Sequence, residues 1–239
     1  MSSLTVASKS FRIGIIRGGQ RKSHVGDPIT DLVLQTIESH ISTETAANAA
    51  SFTFDYIDLS VLALPLCDEP GIPRLITSPE DYAHDHTRVW SRRVAALDGV
   101  IFISPQQNWG IPAGLKNAID YLFNEWKNKP AVIVGYGRDG ADKVAMALKL
   151  CLAGAIGMQV GSRMVVTLDF PSQIMPADAV EGLDRRLDAA GEGSIGSVER
   201  EQIKDAWDQM VAMLESKGVS KMAIQLSQKI RRVMLALTK

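Results

Sequence analysis

Three short segments carry most of the residues able to do chemistry. The first is Arg17-Gly18-Gly19-Gln20-Arg21-Lys22-Ser23-His24-Val25-Gly26-Asp27-Pro28, with two adjacent glycines, a hydroxyl, three permanent cations and a further basic group at His24. Adjacent glycines let successive backbone N–H groups converge on an anion, and a helix start adds the positive end of a dipole. Arginine offers forked donors to phosphate oxygens. Composition alone leaves two readings open, a phosphate-binding turn and a basic turn facing solvent. The second segment is Ser104-Pro105-Gln106-Gln107-Asn108-Trp109-Gly110-Ile111-Pro112. Its prolines and glycine stiffen it, so backbone amides can be held ready for a planar ligand. Asn108 offers both a donor and an acceptor, while Trp109 suits either stacking on a ring or capping the next helix.

The third segment, Gly135-Tyr136-Gly137-Arg138-Asp139-Gly140, matches the GxGxxG spacing of dinucleotide-binding turns. Three features argue against that use. Such a turn normally follows the first strand of its domain, whereas three strands are predicted before this one. An acidic residue is required about 20 positions on, and residues 155–160 contain none. One predicted strand follows, too few for a second nucleotide-binding half.

The elements that must position these segments alternate between β-rich and helical. Strands are predicted at Phe11–Ile16, Ser51–Ile57, Gly99–Ser104, Pro130–Val134 and Ser162–Leu168. Helices are predicted at Ile29–Ile41, Glu80–Leu97, Ala113–Trp126, Asp139–Ile156 and Val198–Leu214. A proline-rich connection holding Pro65, Pro70 and Pro73 is predicted to lack regular structure, and Pro171–Gly196 reads as a loop. The expected fold is α/β, a doubly wound five-stranded parallel sheet with helices on both faces. In such a sheet ligands bind at the carboxyl ends of the strands, where these three loops lie. A position after the first strand favours phosphate for the basic loop. One basic loop and two rich in Gly, Pro and aromatics match the shape of flavin mononucleotide (FMN), one phosphate and one flat ring system.

The 239 residues carry 26 basic and 27 acidic groups, net −1, which leaves no general footprint for nucleic acid. Two distant cysteines, Cys67 and Cys151, make neither a disulfide scaffold nor a thiolate metal site. His84 and His86 flank Asp85 in a polar stretch and read as a solvated turn, so no metal is expected. No apolar run approaches the ~18 residues of a membrane span. The polar first residues do not resemble a secretory signal, and a cytoplasmic location is expected.

The stretch from Pro105 to Asp120 resembles the PxYNWGxPxxLKNAID signature of the NADPH-dependent FMN reductase family of flavodoxin-like proteins. Glu125-Trp126, Lys129-Pro130 and Tyr136-Gly137 fall where that family has them, and Gly18–Gly26 resembles its GSTRxGRxG phosphate loop. The resemblance spans residues 11–170 and is closest to the yeast-type quinone reductases. It implies a flavodoxin-like fold, bound FMN, NADPH or NADH as hydride donor, and a quinone or another small acceptor. Gly19, Gln20, Arg21, Ser23 and His24 would hold the phosphate. Pro105, Gln106, Gln107 and Asn108 would line the ring, with Trp109 beside them, and Tyr136, Gly137 and Arg138 would close its other side. No side chain is assigned as a catalytic acid or base, because the cofactor carries the chemistry. Three positions depart from the family: Gly19 stands for Ser, Gln107 for Tyr, and Arg138-Asp139 for a glycine-rich turn. An FMN-binding electron carrier or redox-responsive interaction protein, and a reductase specialised for one biosynthetic metabolite, are the alternatives.

Residues 1–216 are expected to form the FMN-binding domain. From Lys217 onward the chain is basic, and Met222, Leu226, Ile230, Val233 and Leu237 recur at helical spacing. Residues 217–239 are therefore expected to form an amphipathic helix packed on its own domain or across a dimer, rather than on a membrane or another partner. The resemblance implies a homodimer or homotetramer.

Overall fold

The computed structural model describes residues 9–21, 26–43, 50–137, 140–169 and 196–216. Five strands, β1 (Ser10–Arg17), β2 (Ser51–Asp58), β3 (Gly99–Pro105), β4 (Ala131–Gly137) and β5 (Val165–Asp169), form one sheet in the order β2-β1-β3-β4-β5. Every neighbouring pair is parallel. β3 and β4 are buried along nearly their whole length, which explains why they read as unbroken apolar runs instead of alternating ones.

Helices cover both faces. Ile13 and Ile15 of β1 face a core built with Ile29, Val33 and Ile37 of α1 (Gly26–Thr43) and with Ile203, Trp207 and Met210 of the last helix, α6, at 197–216. Ile16, Val100 and Phe102 face the opposite core. That core holds Trp90 of α3 (Asp85–Ala95), Leu115 of α4 (Ala113–Asp120) and Val144 of α5 (Asp142–Lys149). Trp90 and Trp126 meet edge to face at 5.8 Å. Their indole N–H groups donate to Ala118 O and Ile119 O at 2.9 and 3.1 Å, so both rings bury without stranding a polar atom.

The helix expected from Glu80 begins at Asp85 instead, because Pro79 starts a separate 3₁₀ turn, Pro79–Asp81. Before it the chain makes a one-turn helix, α2 (Leu59–Leu62), and another 3₁₀ turn at Pro73–Leu75. The proline-rich connection is fastened to α4 by Asn117, whose Oδ1 accepts from Cys67 N at 2.9 Å and whose Nδ2 donates to Pro65 O at 2.7 Å. The expected helix at 113–126 closes at Asp120, where a tighter turn takes over and Leu122 N donates to Ile119 O at 3.2 Å. α5 runs on as a π-helical segment, Leu150–Ile156, that stops at Gly157 with φ 86°. Among the described residues no helix is long and apolar enough to cross a membrane. The expected loop up to residue 195 and the expected C-terminal helix at 217–239 lie outside the described residues.

Candidate active site at the carboxyl end of the sheet

β1 and β3 are neighbours, but the chain leaves β1 towards β2 and leaves β3 towards β4. Divergent exits open a crevice at the carboxyl ends of these two strands. Gly18 N donates to Ile103 O at 2.8 Å and carries the β1–β3 ladder into the first loop. A Cβ at Gly19 would lie 3.3 Å from both Pro105 Cγ and the Tyr136 hydroxyl. The first, second and third loops therefore meet at one residue, the basic one touching the two expected to flank a ring. Residues so placed fit a ligand with a phosphate at one end and a flat ring at the other.

The second and third loops are locked together. Gln106 N donates to Tyr136 O at 2.8 Å. The Gln106 side-chain Oε1 accepts from Lys143 N and Val144 N, at 3.1 and 3.2 Å, and satisfies amides at the start of α5. A Cβ at Gly137 would come within 2.6 Å of Gly140 O, so this crossing admits no side chain. Beyond Gln106 the chain makes a tight reverse turn. Gln107 and Gly110 exchange backbone bonds of 3.2 and 2.9 Å, and Asn108 and Trp109 between them adopt φ 49° and 62°. Two positive φ angles in a row define a type I′ turn. A bulky residue there stores roughly 1 kcal/mol or more of strain, a cost that clusters at ligand sites. The turn leaves Trp109 73% exposed, with Lys143 Nζ of α5 5.6 Å from its ring centre.

Tyr136 is buried, and burial pushes its phenol well above the ordinary range. Gln20 bridges the first loop to the opposite wall: Nε2 donates to Leu59 O at 3.0 Å, and its amide lies over Gly114 at the start of α4. Arg21 is exposed. The structure thus brings Gly19, Gln20, Pro105, Gln106, Gln107, Tyr136 and Gly137 to one end of the sheet, with Asn108 and Trp109 at its rim. Ser23, His24 and Arg138 lie outside the described residues. At the start of α3, His84 and His86 stack at 5.2 Å beside Asp68. Among the described residues no group of three or more His, Cys, Asp or Glu is placed to hold a metal ion.

Sequence reasoning counted Arg17 among the cations of a basic turn and passed over its position. It is the last residue of β1, paired in register with Asp58, the last residue of β2. Its side chain is 3% exposed. It forms an ion pair with Asp58, lies 3.2 Å from Asp27 Oδ1, and donates from Nη1 to Gly19 O at 3.3 Å. Burial raises the Asp58 carboxyl, but hydrogen bonds from Ser60 and Arg17 outweigh it and hold the group below the usual carboxylate range. The readable signal was an arginine ending a strand directly after the buried run Ile13-Gly14-Ile15-Ile16.

A parallel sheet in the order 2-1-3-4-5, with its loops gathered at the β1/β3 switch point, places the protein in the flavodoxin-like class of α/β proteins. Within that class the chain belongs to the NADPH-dependent FMN reductase family, whose family model matches residues 11–172. It is 40% identical over 175 residues to the NAD(P)H-dependent FMN reductase LOT6 of Saccharomyces cerevisiae, covering 70% of this chain and 88% of that one. It is 25% identical over 143 residues to an NADPH:quinone oxidoreductase of Arabidopsis thaliana, covering 57% of this chain and 63% of the relative. Among solved structures, the flavoenzyme NAD(P)H:(acceptor) oxidoreductase FerB of Paracoccus denitrificans shares the fold. It gives a TM-score of 0.56 at 20% identity over 86% of this chain and 98% of that one.

Proposed function

We propose that this protein is an FMN-dependent NAD(P)H oxidoreductase that delivers electrons to a quinone or another small acceptor. The observation that carries this is the meeting of the basic loop with both ring-side loops at Gly19, in a member of the FMN reductase family. When bound, FMN supplies the hydride chemistry, and the protein supplies position and field. Gly19, Gln20, Arg21, Ser23 and His24 hold the phosphate. Pro105, Gln106, Gln107, Asn108 and Trp109 line one side of the ring, and Tyr136, Gly137 and Arg138 the other. Gln106 acts as the strut between those sides, because its amide N–H and its Oε1 are both engaged within the protein. Trp109 forms an exposed aromatic wall against which a planar donor or acceptor can rest. The protein works in the cytoplasm as a homodimer or homotetramer, with residues 1–216 as the flavin domain and 217–239 as a helical extension.

The test is a visible absorption spectrum of purified protein reconstituted with FMN, followed by anaerobic NADPH. Flavin bands that bleach within the mixing time, and recover on adding a quinone, support the reading. Bound flavin that stays oxidised identifies an electron carrier, and protein that takes up no FMN overturns the proposal. Sedimentation of the same sample reports the oligomeric state.

A further inference from the structure

Two carboxylates stand at the base of the first loop. Asp58 caps α2, its Oδ1 accepting from Ser60 N at 2.8 Å and from Ser60 Oγ at 2.7 Å, and its side chain is 17% exposed. Asp27 lies in the first turn of α1 and accepts from the Tyr56 hydroxyl at 3.3 Å. Negative charge at this place opposes a phosphate, and in a partly dry site the opposition is strong. A single buried cation touches both groups and also the backbone of the loop, through Gly19 O. Arginine suits the task because its rigid fork serves several partners at once and stays charged. The charge of the same residue opposes the effect of burial on the Tyr136 phenol of the third segment.

We propose that Arg17 is a positioning and specificity-determining residue of the flavin site: it neutralises Asp27 and Asp58 and fixes Gly19, so that the loop accepts a phosphorylated flavin in preference to the unphosphorylated one. This rests on the FMN-binding reading above. Arg17 acts through the loop and its charges, so its loss falls on the phosphate end of the ligand and leaves ring binding largely in place.

The experiment compares dissociation constants for FMN and riboflavin, by flavin fluorescence quenching, in wild type, Arg17→Met, Arg17→Lys and Asp27→Asn. Thermal melts confirm that each sample is folded at the assay temperature. In Arg17→Met the preference for FMN over riboflavin falls roughly 30-fold, the order expected when a phosphate faces one uncompensated charge at an effective dielectric near 20. Arg17→Lys, which keeps the charge, restores most of that preference. Asp27→Asn, at a half-exposed side chain whose loss the fold tolerates, raises the preference about threefold. If Arg17→Met does not fold, the Asp27→Asn result decides, an unchanged preference there overturning the inference. In a folded Arg17→Met, equal losses for both flavins or an unchanged preference overturn the inference. Wild-type protein that binds neither flavin overturns the functional reading itself, a separate outcome.

Discussion

The edge formed by β1 and β2 carries two arginine–aspartate pairs that look alike in sequence and differ in purpose. Near the middle of β2, Asp55 lies between Arg12 of β1 and Arg93 of α3, at 2.6 and 2.7 Å. At its end, Asp58 pairs with Arg17. In the first group one carboxylate is shared by two cations whose side chains are 48% and 34% exposed. In the second, one 3%-exposed cation is shared by two carboxylates and a loop carbonyl. Arg12 and Arg93 tie a helix to the sheet and still reach water. Arg17 holds a loop and has almost none. An ion pair that fastens elements together can stand at the surface, whereas one that sets the field of a ligand site has to be dry.

The widest separation between the two is in stability. Arg17→Met leaves a mostly buried Asp58 without its cation, and removing one partner of a buried pair costs about 3–5 kcal/mol. Arg12→Met removes a half-exposed partner of a carboxylate that Arg93 still serves, and costs less than about 1 kcal/mol. Urea unfolding of the two variants measures the difference directly. Similar losses would mean that burial does not distinguish the pairs.

Acid titration sharpens the same contrast. Burial pushes the Asp55 carboxyl up, but hydrogen bonds and charge from Arg93 and Arg12 prevail, so its folded value lies below the ordinary one. The unfolded chain therefore binds the extra proton first as pH drops. The stabilisation is complete above the unfolded value, near 4, and disappears as pH falls through the folded value. Asp55→Asn should lower stability at pH 7 by roughly 1–2 kcal/mol. Its urea-unfolding free energy should then fall less steeply than wild type below about pH 4. A parallel pH dependence in both proteins would remove Asp55 from the account.

Much of this was visible in the chain itself. Fully buried parallel strands show as apolar runs at Gly99–Ser104 and Pro130–Val134, and the loops between elements stand out by their glycines and prolines. The helix ends were less legible, since Pro79 starts a turn of its own and α4 gives way to a tighter turn after Asp120. Within the site, composition marked the basic loop but not which cation was buried, because that depends on pairing with a strand 41 residues away. Gln106 showed the same limit: nothing local in the sequence reveals that its side chain caps a helix 37 residues on. Trp109 left two uses open in the sequence, and its positive φ within a tight turn was not legible there.

The smallest expected effect concerns Gly19, where the family resemblance calls for serine. A serine hydroxyl offers phosphate a bond worth about 1 kcal/mol, so its loss here needs a physical reason. A Cβ at this place meets Pro105 and the Tyr136 hydroxyl at 3.3 Å each, tighter than ordinary contact. The loop cannot swing away freely, since Arg17 holds the Gly19 carbonyl from beneath. The gain and the crowding therefore nearly cancel, and Gly19→Ser should leave the FMN dissociation constant within about threefold of wild type. Removing the phenol oxygen relieves one of the two contacts. In a Tyr136→Phe background the same serine should then tighten FMN roughly fivefold relative to Tyr136→Phe alone. A comparable gain from Gly19→Ser in the wild-type background would show a compliant loop, and the contrast between a loop-holding Arg17 and a sheet-fastening Arg12 would lose its basis.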